Sequence, residues 1–457
     1  MVPQDHFLRA KEDLRLLLAI PSVSARSENL AECAAAVRRL LAEAGFRTEI
    51  HSGEVGPFVV GEAGSGPLTV MIYNHYDVQP EDPVPLWSSP PFELSERDGR
   101  WYGRGVADDK GEFVSRLGGW RLFRERHPQS LPFRIIWLVD GEEEIGSPSL
   151  EEFIKQRFSN ETVDVCWWEY GEIDSNGRPV ILCGFKGIMG FELRCRTAKA
   201  DLHSSLGSVF DNPLWRLAAA TASLRDSAGR ITIEGFYDAV RQPSQNERDL
   251  VREPPFSLKS LVEATGARLT LQGISEEHFY RAMNFEPCLN VNGFCGGYAG
   301  EGAKSVLPAE GLVKMDFRLV PNQDPAHIAR LLRAHLDRLG FQDIEVTVHD
   351  ANVKPIRSSP DHWFVREARD LLEAHFGQAA IIQPSSPASG TAHPFVEQLG
   401  AEIFGIGLTH HGAMLHSPNE NIIPQQFATM IDFSASLFSR LKDIAETDIG
   451  NVPHRLK

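Results

Sequence analysis

The feature that most constrains this fold is a rhythm. Short apolar runs rich in strand formers alternate with stretches of helical spacing. "LTVMIYNH" (68–75), "FRIIWLV" (133–139) and "VDVCWW" (163–168) are the runs, and "KGEFVSRLGGWRLFRERH" (110–127) and a segment near 148–157 are helical. Strands alternating with helices predict an α/β fold, a mostly parallel sheet flanked by helices. Such sheets bind ligands beyond the carboxyl ends of their strands. Upstream, 5–19 and 28–44 read as helices, with Ser27 placed to cap the second and Gly45 placed as a left-handed stop. The same style resumes at 361–377 and ends in an amphipathic helix near 424–443.

Between these parts the period changes. "GIMGFELRCRT" (187–197) and "AEGLVKMDFRLV" (309–320) alternate apolar and polar residues, as half-exposed strands do, while 212–225 and 326–340 read as helices. A chain of 457 residues exceeds one ordinary core. We therefore expect an outer domain at 1–185 and 356–457, interrupted by an α+β insertion at 186–355.

Composition narrows the function by exclusion. A net charge of -16 without a lysine- or arginine-rich run argues against nucleic acid or an acidic membrane as partner. The amino-terminal stretch has acidic residues inside it and no apolar segment of spanning length, so no membrane is expected. Six cysteines, none in a Cys-x-x-Cys pair, fit reduced thiols in a cytoplasm.

Metal-competent side chains recur where strands are expected to end. "YNHYDVQP" offers His75 and Asp77, which share one side of an extended chain. An imidazole can bind a metal there while the carboxylate orients its other nitrogen. "GVADDKGE" offers Asp108 and Asp109, "LVDGEEEIGS" offers Glu142, Glu143 and Glu144, "CWWEYGE" offers Glu169 and "MLHSPNENI" offers His416. Taken singly, each has an ordinary reading as a helix cap, a solvated loop or a surface histidine. Taken together, they suit zinc, with manganese or cobalt as alternatives. A shared carboxylate can hold two such ions about 3.5–4 Å apart, where they acidify a water. An unliganded carboxylate beside them can then move the proton. One glutamate of the run is thus expected as ligand and a neighbour as base. No Gly-x-Ser-x-Gly, His-Glu-x-x-His or phosphate-loop motif competes.

These residues resemble the M20 family of dinuclear metallopeptidases. "HYDVQP", "GRGVADDKG", "EEEIGS", "ADLHS", "GEGAKSVLP", "FRLVPN" and "LHSPNE" carry the likeness from residue 75 to residue 420. The resemblance implies two divalent ions, held by His75, Glu144, Glu169 and His416 with Asp108 bridging. It implies Asp77 buttressing His75 and Glu143 as general base. Glu142 is then spare and solvent-facing, and Asp109 supports the ligands or caps a helix. The insertion resembles a lid and dimerisation domain, implying a homodimer. His203 resembles a histidine that reaches a partner subunit's centre and polarises the substrate carbonyl. Arg318 would hold the substrate carboxylate by a two-pronged ion pair, with Ser305 adding a hydrogen bond. Gly390 and Thr391 in "ASGTAHP" would cradle the same end of the substrate. His393, His410 and His411 read as structural.

A dipeptidase is the reading the family likeness favours, through "YDVQP", "LWSSPPFEL" and "GRGVADDKG". Glu169 stands where carnosinase-type dipeptidases usually carry Asp and carboxypeptidase and desuccinylase members carry Glu. An N-acyl-amino-acid deacylase and a carboxypeptidase therefore remain as alternatives on the same centre. A catalytically idle, metal-stabilised binding protein is the reading from another class.

Overall fold

All eight residues of Leu68–His75 are buried, so their backbone polar groups need partners on both edges. In the computed structural model these partners are Phe133–Asp140 on one side and Val165–Trp168 on the other, both parallel. The structure describes residues 2–252, 254–271, 273–349 and 352–447.

Two compact units divide the chain. The first holds the chain up to Gly184, Ser358–Pro384 and the chain from Pro394; the second holds Phe185–Arg357 and Ser385–His393. The second unit therefore includes the "ASGTAH" stretch, which the sequence pattern grouped with the outer domain.

The first unit is built on an eight-stranded sheet. Its spatial order is Arg47–His51, Phe58–Gly64, Phe133–Asp140, Leu68–His75, Val165–Trp168, Glu402–Gly405, Val180–Leu182 and Ile381–Gln383. The central pairings are parallel, and antiparallel pairs lie at Arg47–His51 with Phe58–Gly64, Phe58–Gly64 with Phe133–Asp140, and Glu402–Gly405 with Val180–Leu182. Helices cover both faces. Tyr73 and Trp168 pack against Phe395 of the helix His393–Leu399. Trp167, one residue away and so on the opposite face, meets Phe433 of the helix Pro424–Thr447. That helix approaches Lys110–Arg126 closely because of Gly119, where a Cβ would lie 2.4 Å from Ser434 Cβ and 2.8 Å from the Ile431 carbonyl oxygen. Each large apolar side chain buried in this core contributes about 1.5–3 kcal/mol.

One local expectation fails. Ser27 does not cap the second helix. Its own φ is +54°, and it closes the short turn Ser24–Arg26. The helix Leu30–Glu43 begins after Asn29, also left-handed at φ +52°, whose Nδ2 donates to the Pro21 carbonyl. The turn geometry took both polar residues before either side chain could cap. Gly45 does adopt φ +91° at the helix end.

The second unit is a four-stranded antiparallel sheet in the order Cys288–Gly296, Glu310–Leu319, Gly187–Arg196 and Ile344–Val348. Burial alternates along Gly187–Arg196, as period-two patterning requires. Helices Pro213–Ser223 and Pro325–Arg338 cover the apolar face, with Leu217 and Leu332 in its core. Asn212 and Asp324 cap these helices through their side chains. Among the described residues, no helix is long and apolar enough to cross a membrane.

Candidate metal centre

His75 is the last residue of its strand, and its ring is held on both sides. Nδ1 lies 3.0 Å from the Asp77 carbonyl oxygen and 3.4 Å from Asp77 Oδ1, and Nε2 lies 2.9 Å from Asp108 Oδ1. The other oxygen of the same carboxylate, Asp108 Oδ2, is 3.0 Å from His416 Nε2. His416 Nε2 is in turn 3.3 Å from Glu144 Oε2. One carboxylate thus stands between two imidazoles. Ligand atoms of Asp108, Glu144 and His416 all lie within 4.8 Å of one another, a grouping that could hold a metal ion.

The glutamate run leaves the strand Phe133–Asp140 through a turn at Glu143–Ile145, stopped by Gly146 at φ +88°. Asp77 shapes that turn. Its Oδ1 accepts the Glu143 N–H at 3.1 Å and its Oδ2 accepts the Glu144 N–H at 3.0 Å. Asp77 therefore touches His75 chiefly through its backbone, while its carboxylate fixes the two glutamates. Gln79 holds the Glu144 side chain, donating from Nε2 to Oε2 at 2.8 Å. Glu169 follows the strand Val165–Trp168 and is buried.

Placement differs from expectation in two respects. Glu142 is not solvent-facing but fully buried. Its carboxylate accepts the N–H groups of Val55, Gly56 and Ser149 and the Ser149 hydroxyl, binding the turn to a neighbouring loop. Asp108 and His416 are not at ends of central strands; both come from loops, joined where Arg100–Tyr102 pairs with Asn421–Ile422. Of the two roles expected for Asp109, it supports a ligand and makes no side-chain cap to the following helix. Its Oδ2 accepts the His75 N–H and Asn74 Nδ2, at 2.9 and 2.8 Å.

The centre carries more negative charge than its surroundings balance. Withdrawal from water pushes Glu143 up to about 7, against the pull of His75. Burial also lifts Glu144 and Glu169 well above the usual carboxylate range, with the Asp108 charge adding at Glu144 and the Glu143 charge adding at Glu169. His416 is pushed up to about 9, chiefly by its hydrogen bond to Asp108. Burial opposes protonation of His75, but hydrogen bonds to Asp108 and Asp77 raise it well above the ordinary histidine value. Converging imidazoles and mutually repelling carboxylates are the donor set of a divalent cation site, so the residues present fit such a metal.

Sequence reading missed three supports. Arg116 is fully buried and donates to the carbonyl oxygens of Tyr73, Trp168, Glu169 and Ile406, gathering three strand ends. Its signal was a cation inside a helix whose residues from Lys110 to Phe123 are all buried. Glu420 and Gln79 stood inside quoted motifs without a role. His410 is structural as expected, bonded to Asn421 and Arg100.

The remaining expected residues lie in the second unit. Arg318 donates from Nη1 to Ser389 Oγ at 2.9 Å, beside Gly390. Asp316 Oδ1 lies 3.4 Å from its Nε. Thr391 is buried, and its hydroxyl has no hydrogen-bond partner among the described residues. His203 is exposed and pairs with Val306, the residue after Ser305; its Nδ1 lies 2.8 Å from Ser205 Oγ.

The model of peptidase family M20/M25/M40 matches residues 71–440. The chain belongs to this family. A Cys-Gly metallodipeptidase of Schizosaccharomyces pombe is 28% identical over 413 residues, covering 85% of this M20 chain and 83% of the relative. A Beta-Ala-His dipeptidase of Mus musculus is 30% identical over 385 residues, covering 80% and 76%. A solved M20 family metallo-carboxypeptidase from Sulfolobus solfataricus superposes with a TM-score of 0.88 at 32% identity, covering 95% of this chain and 99% of that one.

Proposed function

We propose that this M20 chain is a dipeptidase working at a two-metal centre. His75, Glu144, Glu169 and His416 would hold the ions, and Asp108 would be shared between them. The observation that carries this reading is the Asp108 carboxylate, with one oxygen on each of two histidines. When bound, divalent cations such as zinc, manganese or cobalt supply Lewis acidity to a carbonyl oxygen and acidify a water.

Around that chemistry the protein's own groups have distinct jobs. Glu143 accepts a proton from the attacking water and delivers it to the departing amine nitrogen. Asp77 holds Glu143 and Glu144 in place through their amides. From the second unit, Arg318 receives the substrate carboxylate, with Ser305, Gly390 and Thr391 contributing. The unpartnered Thr391 hydroxyl supports this role, since buried polar groups ordinarily find a partner. His203 of a second copy hydrogen-bonds the substrate carbonyl. A homodimer through the second unit is supported by its exposed apolar residues, among them Trp215, Val209, Phe210 and, on the edge strand Cys288–Gly296, Val291 and Phe294. Six free thiols support a reducing compartment such as the cytoplasm.

The test is digestion by the metal-loaded protein of three libraries: dipeptides, N-acetyl and N-succinyl amino acids, and longer peptides, read by mass spectrometry. Dipeptides should be cleaved fastest. Preference for the acyl amino acids would replace the reading with a deacylase, and carboxyl-terminal trimming of longer peptides would replace it with a carboxypeptidase. No turnover of any library would leave only the binding-protein reading.

A further inference from the structure

The two histidines on Asp108 are supported very differently. His75 belongs to a central strand, and its side chain is 1% exposed. His416 sits on a loop, its side chain 55% exposed. That loop contains three left-handed non-glycine residues, Met414 at φ +58°, His416 at +56° and Asn419 at +65°. Such conformations persist only where surrounding bonds over-determine them.

The carboxylate of Glu420 anchors the end of that loop to the segment carrying Asp108. Glu420 is fully buried and four residues from His416. Its Oε1 accepts the N–H groups of Ala107 at 2.9 Å and of Asp108 itself at 3.1 Å. Its Oε2 accepts the Gly105 N–H at 3.1 Å and Arg104 Nη1 at 2.7 Å. Arg104 reaches on to the Pro80 carbonyl. Asn419 ties the same loop down on another side, accepting from the Ser88 N–H and Arg97 Nη2 and donating to the Leu86 carbonyl.

We propose that Glu420 is a positioning residue that sets the spacing between His416 and Asp108, so that the cation on the His416 side, where both ligands hang on Glu420, depends on it more than the cation on the His75 side, where only the shared Asp108 does. The backbone of Asp108 and the loop of His416 move together because one carboxylate holds both. His75 needs no such clamp, because its strand and Asp109 already fix it. This inference rests on the two-metal reading above.

The variant is Glu420→Gln, which keeps the shape but turns an NH2 toward a donor in place of an accepting oxygen. Metal-stripped full-length protein is titrated with zinc by calorimetry and with cobalt by visible absorption. The unaltered chain should take up two ions. The variant should bind one ion at or near its unaltered affinity and the second about 10–100-fold more weakly, the usual range for residues that orient ligands. Its kcat should recover at high metal concentration with KM unchanged, a rescue that general loss of structure would not allow. Two ions at unaltered affinity, or both weakened equally, overturn the proposal. If the unaltered chain itself binds fewer than two ions, the two-metal reading fails and this inference falls with it. Melting of the metal-free proteins checks folding. Should Glu420→Gln not fold, Glu420→Asp, which keeps the charge but shortens the reach to the Ala107 and Asp108 amides, decides: selective weakening of one ion supports the clamp, and unchanged or uniform affinity overturns it.

Discussion

In the first unit most of the chemistry, His416 apart, is withdrawn from water. Asp77 and Glu142 have no exposed surface, His75 and Asp109 have almost none, and burial lifts Glu143, Glu144 and Glu169. In the second unit His203 and Ser305 are exposed and Arg318 is half-exposed. The difference follows from the sheets. Strand Leu68–His75 is buried along its whole length, so the groups at its end start inside the protein. Strand Gly187–Arg196 buries alternate residues only, and its neighbour Glu310–Leu319 carries Arg318 with solvent access. Buried carboxylates carry a desolvation cost that cations or hydrogen bonds must offset. Surface groups carry little such cost and are fixed less firmly. The comparison teaches that one unit withdraws its charged groups from water while the other leaves polar groups in contact with it.

Three substitutions break or sharpen this contrast. The largest effect is expected from Glu143→Ala, which removes the proton carrier: kcat should fall about 10²–10⁴-fold, while mass spectrometry still finds two metals per chain. Substantial residual activity would move the base elsewhere. Next, Arg318→Met should raise KM by about 10–100-fold, the worth of about 1.5–3 kcal/mol in a charged hydrogen bond, with kcat little changed. A loss confined to kcat would place Arg318 outside carboxylate binding. The smallest effect on turnover, but a clear one on stability, is expected for Glu142→Ala. Denaturant unfolding should show a loss of about 1–3 kcal/mol from donors left unsatisfied, with metal content retained. An unchanged midpoint would return Glu142 to the solvent-facing role that its neighbours in sequence suggested.

Glu142 also marks the limit of what could be read beforehand. Three adjacent glutamates look alike in one dimension. Only the partners of each, Val55 and Ser149 for Glu142, Asp77 for the Glu143 and Glu144 amides, Gln79 for the Glu144 side chain, separate them. His75 was legible because an apolar run ends at it. Arg116 and Glu420 were not, because the groups they hydrogen-bond lie 42 and more residues away. Ser27 misled because local capping preference yielded to a left-handed turn.

What the order of residues determined on its own was the pattern of burial: continuous apolar runs for a two-sided sheet, alternation for a one-sided one, and the chemical types waiting after them. Periodicity is a local property, and local sequence is enough to set it. What only the tertiary structure decided was pairing. Asp108 meets His416 across 308 positions of chain, and Glu420 reaches back to the Asp108 amide across 312. Such contacts arise when distant loops are brought together by packing that no short segment encodes.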